Sequence, residues 1–191
     1  MAMTVTRRKD TKVSRVLMHR VADIRGGVSI NVSELNVDYL PEGTVIGKAD
    51  SNGISHVVKF AKVQANAAND ATSIQIYKGH NFKVGDIVMA VENGKAYAIT
   101  AIDTSNSGYD AITVGTTLGV ALTKDTSYIY QAAASGASGA ALKYAPLAIT
   151  GTGMPVDSSS NLIVDAWVIA VTKGNAIPSL LEGKLKGVVN Y

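Results

Sequence analysis

Three histidines, His19, His56 and His80, are all the imidazole chemistry this chain carries, and cysteine is absent. Disulfides, thiolate nucleophiles, iron–sulfur clusters and cysteine zinc sites are therefore excluded. The histidines stand far apart, so a zinc site would have to be assembled wholly by the fold, and ordinary surface or edge histidines are the simpler expectation. Asp86, Asp103, Asp110 and Asp125 are the candidates for carboxylate pairing, although turn aspartates account for them without any catalysis. The stretch Asp103 to Asp110, DTSNSGYD, alternates oxygen donors and places Gly108 where a calcium loop would bend. Its twelfth position, however, is Val114, which supplies no bidentate carboxylate, so a β-turn between two strands is expected there. Gly136-Ala137-Ser138-Gly139-Ala140 lacks the final glycine of a nucleophile elbow, and Gly151-Thr152-Gly153 lacks the third glycine of a dinucleotide fingerprint. No catalytic residue, cofactor site or metal site is expected, and the chain reads as a non-enzyme.

The remaining chemistry is charge. Residues 1 to 30 hold seven basic residues (Arg7, Arg8, Lys9, Lys12, Arg15, Arg20 and Arg25) against Asp10 and Asp23, a net +5. The rest holds eleven basic and thirteen acidic residues, a net −2. A cationic end on a slightly acidic body suits an arm that docks on an oppositely charged surface, because such charge speeds encounter and fixes orientation. A solvated terminus is the plainer alternative. Single-stranded nucleic acid asks for aromatics interleaved with cations, but aromatics are only 6% here and mostly lie away from the basic cluster, so no nucleic-acid partner is expected. Trp167 sits in an apolar run, which favours a core ring over an exposed sugar platform.

These groups need a scaffold, and composition provides for one: 47% hydrophobic and 17% charged residues describe a chain that folds. The basic start is not followed by an uninterrupted apolar stretch, so no secretory export is expected. The longest apolar run, Leu162 to Thr172, is about half of what a membrane-spanning helix needs and contains Asp165, so no membrane is expected. Val13, Val16, Leu17, Val21 and Ile24 fall at helical spacing, which predicts a short amphipathic helix ended by Gly26-Gly27 and dependent on a partner surface. From Val28 onward, short runs rich in Val, Ile, Thr and Tyr are punctuated by turn formers, which is all-β spacing. Strands are predicted at 44–49, 54–65, 73–77, 87–92, 95–103, 111–114, 127–131, 162–172 and 185–190, with a two-residue hairpin at Asn93-Gly94.

The fold class is thus an all-β, small sandwich or barrel-like domain with an N-terminal basic arm and a C-terminal β-rich lobe. The expected division is 1–36 as the arm, 37–131 as a β-domain, 132–142 (AAASGASGAA plus Leu142) as a flexible loop or linker, and 143–191 as the C-terminal segment. Thr150 to Asn161 reads as a second loop.

Leu40 to Lys48 (LPEGTVIGK), Phe82 to Met89 (FKVGDIVM) and Ala96 to Val120 (AYAITAIDTSNSGYDAITVGTTLGV) together resemble head decoration and head fibre proteins of tailed bacteriophages. In that group a P-x-G-T-V-hydrophobic-G strand near the start is followed by a V-G-D turn before a strand pair. The resemblance covers residues 40 to 120. It implies a structural virion protein on the outer capsid surface, anchored to the major capsid protein by its N-terminal segment and often trimeric. Arg7, Arg8, Lys9, Lys12, Arg15 and Arg20 are then the candidate capsid-binding residues. The alternative is a stand-alone β-module that binds carbohydrate or host surface, with a host-surface glycan as ligand. In either case a homo-oligomer is expected, because neighbouring subunits can cap exposed strand edges.

Overall fold

The computed structural model describes residues 16–157, 160–174 and 176–191, so Val13 of the expected helix and the candidate anchors Arg7, Arg8, Lys9, Lys12 and Arg15 lie outside the described residues. Strands form where β-branched and aromatic residues run between Gly, Asn, Asp and Ser punctuation. In chain order they are β1 (Leu17–Asp23), β2 (Val28–Ile30), β3 (Tyr39–Leu40), β4 (Val45–Gly47), β5 (Ile54–Ser55), β6 (Phe60–Lys62), β7 (Ser73–Tyr77) and β8 (Ile87–Met89). They continue as β9 (Ala96–Asp103), β10 (Tyr109–Val114), β11 (Tyr128–Gln131), β12 (Pro146–Thr150), β13 (Met154–Pro155), β14 (Leu162–Val164), β15 (Ala166–Thr172) and β16 (Val188–Asn190). Among the described residues only a 3-10 turn at Val32–Glu34 and the four-residue helix α1 (Ser179–Glu182) are helical. The protein is all-β.

One region is a six-stranded antiparallel sheet in the order β6-β11-β8-β9-β10-β7, drawn entirely from residues 60–131. Its strands alternate with a period of two: Ile74 and Ile76 on β7, and Ile112 and Val114 on β10, point inward. With Phe82, Val88, Ile99 and Ile129 they fill a core from which water is excluded. Each such side chain contributes about 1.5–3 kcal/mol of burial. The sheet curls until its outer strands touch at the bridge Val63–Ile76 and the bond Gln64 N–H to Gln75 O (2.8 Å), without a continuous ladder between them.

The other region assembles distant parts of the chain. β15 pairs with β1 on one side and with β12 and then β16 on the other, and β12 pairs with β4. At the end of β15, Lys173 N–H donates to Val16 O (2.8 Å), while Tyr191 N–H donates to Thr172 O (2.8 Å) and Gly174 N–H to Tyr191 O (2.6 Å). The small sheets β14-β2-β5 and β13-β3 close a second core around Ile30, Leu40, Ile46, Ala148 and Val164. A third core forms the seam between the two regions: Val45, Ile149 and Ala170 meet Met89, Ala96 and Tyr130, with Leu181 and Leu185 filling one end. Trp167 and Ala170 both pack on this seam although an unbroken strand would point them to opposite faces; register shifts between Arg20 and Asp23 mark the irregular pairing that permits it.

Several expectations are corrected. Leu17–Asp23 is a strand and not a helix: β15 supplies backbone partners for it, Val16 and Val21 are β-branched, and the helix had no partner surface to stabilise it. Residues 17–30, expected in the arm, are interleaved by pairing with strands of the 143–191 segment, so the sheets do not follow the expected division. The hairpin at Asn93-Gly94 exists, and Asn93 takes the positive φ of 61°, but Met89 pairs with Ala96 and the connection is six residues, 90–95. Its tip is held from outside, by Asn93 N–H to Ala140 O (2.7 Å) and Gly139 N–H to Asn93 O (3.0 Å). The same bonds, with bridges Ala96–Gly136 and Ala132–Leu142, tie down the Ala/Gly/Ser stretch 132–142, which is a pinned loop and not a free linker. The run 162–172 is two strands broken at Asp165, and β12 and α1 were not expected at all.

Candidate functional site

The resemblance motif around residue 42 lies where the basic N-terminal segment joins the body. Pro41 to Thr44 turns the chain from β3 into β4, and Gly43 has φ of 81°, which a side chain would strain. A Cβ on Gly43 would also lie 2.7 Å from Val16 Cγ1. The turn is fixed by Thr44 Oγ1–H to Pro41 O (2.7 Å) and Thr150 Oγ1–H to Pro41 O (2.9 Å). Glu42 projects from it, and its Oε1 accepts from Val16 N–H (2.9 Å) and Leu17 N–H (2.7 Å). One carboxylate thus clamps the backbone at the first described residues.

Arg20, the candidate anchor that is described, sits exposed on β1. Its guanidinium donates to Gly151 O and lies 5.5 Å from the Trp167 ring centroid. Below it, Asp165 collects Gly151 N–H (3.0 Å), Thr152 N–H (3.0 Å), Thr152 Oγ1–H (3.2 Å) and Trp167 Nε1–H (3.0 Å). Only glycine fits at 151, since a Cβ there would meet Trp167 Nε1 at 2.1 Å and Asp165 Oδ2 at 2.4 Å. Arg20 and Trp167 are therefore both engaged within the chain. A groove of about 630 Å³ separates Leu17–Arg20 from Tyr39 and Gly151–Gly153.

A polar network lies beside the seam, where Tyr144 packs on the third core. His56 stacks on Tyr144 (centroids 4.2 Å apart, planes 6°), its Nδ1 lies 3.0 Å from Glu34 Oε2, and Tyr144 O–H donates to Glu34 Oε1 (2.8 Å). Burial raises the Glu34 pKa, but the bonds from Tyr144 and His56 outweigh it and hold the carboxyl below the ordinary range. Burial, with Glu34 beside it, pushes the Tyr144 phenol up. Nearby, Lys59 Nζ donates to Asp86 Oδ2 (2.8 Å), and Asp86 also accepts from Gln131 Nε2 (2.9 Å, on Oδ1) and Lys83 N–H (2.9 Å).

The six-stranded region holds a separate polar group. Asp110 faces inward on β10 and takes Lys78 Nζ (2.5 Å) and His80 Nε2 (3.1 Å), while His80 Nδ1 accepts from Phe82 N–H (3.1 Å). That fixes the proton on Nε2 and leaves no free ring nitrogen to act as a base on a substrate. Burial pushes the His80 imidazole below its ordinary range against the pull of Asp110. His19 is exposed on β1.

Of the four aspartates treated as turn residues, Asp103 accepts from Ser105 N–H (2.9 Å), Asp125 takes a positive φ of 60° in the turn before β11 while accepting from Tyr77 O–H (2.6 Å), and Asp86 closes a turn through its N–H to Lys83 O (3.0 Å). Asp86 and Asp110 are also ion-paired within the body. Glu42, Glu34, Lys59 and Tyr144 were not singled out by sequence reading, because their partners are remote in the chain; for Glu42 the signal was its place inside the P-x-G-T-V motif. Among the described residues no group of three or more His, Asp or Glu side chains is arranged to hold a metal ion, and no helix is long and apolar enough to cross a membrane. No protein-family model, curated protein or solved structure matches the chain, so the likeness of residues 40–120 to phage head proteins rests on the short motifs themselves.

Proposed function

We propose that this chain is a structural virion protein, a head fibre or capsid decoration protein, held on the outer capsid surface through its cationic N-terminal residues. The observation that carries the reading is the Glu42 clamp on Val16 and Leu17, at the base of the segment that bears Arg7, Arg8, Lys9, Lys12 and Arg15. A tether fixed to a β-body delivers those cations to one place, which suits an acidic patch on a major capsid protein. Arg20, engaged with Gly151 and Trp167, serves the body side of that joint. Among the described residues β1 is an edge strand, so its outer side is the place for a neighbouring copy, and a homotrimer is the expected assembly.

The test is co-production of the full chain with the head shell of its virus, followed by sedimentation. Replacing Arg7, Arg8, Lys9, Lys12 and Arg15 by alanine is expected to lower shell-bound protein at least about tenfold, and raised salt is expected to do the same to the wild type by screening. Undiminished binding of the neutralised variant, with its circular dichroism unchanged, overturns the reading.

A further inference from the structure

Lys59 and Asp86 form the most enclosed lysine–carboxylate pair among the described residues: the Lys59 side chain is 2% exposed and that of Asp86 15%, and Nζ lies 2.8 Å from Oδ2. The topology makes the meeting inevitable. β11 lies between β6 and β8 and runs antiparallel to both, and Lys59 and Asp86 immediately precede β6 and β8. Both therefore arrive at the same end of β11, where Gln131 sits, and Gln131 N–H donates to Lys59 O (3.0 Å).

We propose that Lys59 Nζ and Asp86 Cγ condense to an intramolecular amide, cross-linking the start of β6 to the start of β8. The pair holds every atom the step requires. Transfer of one proton from Nζ to Oδ2 along the existing hydrogen bond converts the ion pair to an amine and a carboxylic acid. Burial favours loss of the Nζ proton, because it pushes the Lys59 ammonium below its ordinary range, with Asp86 pulling the other way. The Nζ lone pair then adds to Cγ, and negative charge develops on Oδ1, where the Gln131 Nε2–H already donates at 2.9 Å. A second Nζ proton passes to Oδ2, the Cγ–Oδ2 bond breaks and one water leaves. Of the three ammonium protons one stays on the amide and two depart with Oδ2, so no external oxidant or co-reactant enters.

A second observation points the same way. Gln131 Oε1 is a buried side-chain acceptor with no hydrogen-bond partner, an arrangement that packed interiors normally avoid. It belongs to the same side chain whose Nε2–H donates to Asp86 Oδ1, so the polar group beside the pair is incompletely satisfied while the pair is uncondensed. The cross-link would also remove two buried charges whose desolvation an ion pair only partly offsets.

The experiment is intact-mass spectrometry of the full chain under denaturing conditions after incubation at neutral pH. The wild type is expected to weigh one water less than its sequence, with fragment ions placing the link between Lys59 and Asp86 and no tryptic cleavage after Lys59. Lys59→Arg is expected to show its full sequence mass. Gln131→Ala is expected to slow conversion about a hundredfold, the usual loss for one oxyanion donor. Wild-type protein at full sequence mass, cleaved by trypsin after Lys59, overturns the proposal, and that measurement stands even if a variant fails to fold.

Discussion

The six-stranded region and the five-stranded region are built from the same kinds of residue yet held by different means. In the first, strands within residues 60–131 pair with one another around an interior of Phe82, Ile99, Ile112 and Ile129. In the second, β1, β4, β12, β15 and β16 come from both ends of the chain, and carboxylates hold the joints: Glu42 on Val16 and Leu17, Asp165 on the 151–152 turn, and Glu34 on His56 and Tyr144. Local pairing around an oily core leaves most of the work to packing, with Asp86 and Asp110 as its internal ion pairs. Remote strands carry a larger loop-closure cost before any contact forms, and directional bonds fix where they meet.

The contrast breaks most visibly in the core. Phe82→Ala is expected to cost about 3–5 kcal/mol in chemical denaturation, since a fully buried ring leaves a cavity; a loss below about 1 kcal/mol would mean that packing is not what holds this region. Next comes Gly151→Ala, which forces a methyl group onto Trp167 and Asp165 and is expected to cost about 1–3 kcal/mol. Hydrogen exchange should quicken in β1, β12 and β15 while β9 and β10 keep their protection; equal acceleration in both regions would erase the distinction. Glu42→Ala removes the acceptor for two backbone donors and is expected to cost about 1–2 kcal/mol, with faster exchange confined to the start of β1.

The gentlest probe is acid. His80 has a folded pKa below its ordinary 6.5, so the unfolded chain takes up the proton first and stability declines as pH falls from 6.5 towards the folded value. Glu34 is depressed below its ordinary 4.5, so its contribution is complete above 4.5 and disappears as pH falls through the folded value. Denaturation midpoints against pH should therefore begin to fall below 6.5 and gain a further decline below 4.5. His80→Gln should flatten the upper one and Glu34→Gln the lower one; a single decline unaffected by either change refutes both assignments.

This contrast also explains what could be read from the sequence. Ser73–Tyr77 was located to the residue because Ile74 and Ile76 alternate with polar neighbours between clear turns, and β9 and β10 were found from the same pattern. Leu17–Asp23 was misread because its apolar residues suit a helix equally well, and its strand identity comes from β15, far along the chain. Pro146–Thr150 is not among the strands predicted from the sequence, and its strand identity comes from lying between β15 and β4. The seam network was invisible for the same reason: Glu34, His56 and Tyr144 each look ordinary alone, and only the fold brings them within bonding distance. Asp86 was noticed but assigned to a turn, since nothing nearby in the chain announces Lys59 as its partner.

Val16 and Tyr191 are fastened to the two sides of one short stretch, Thr172 to Gly174. A peptide or reporter fused behind Tyr191 would consequently leave the molecule close to Val16, the residue that follows the basic stretch in sequence. Display of foreign sequence is better served by the exposed tip between β9 and β10, residues 104–108. By the same proximity, a brief linker from Tyr191 to Val16 in place of residues 1–15, with a new opening at that tip, should give a circularly permuted chain that keeps the described strand pairings.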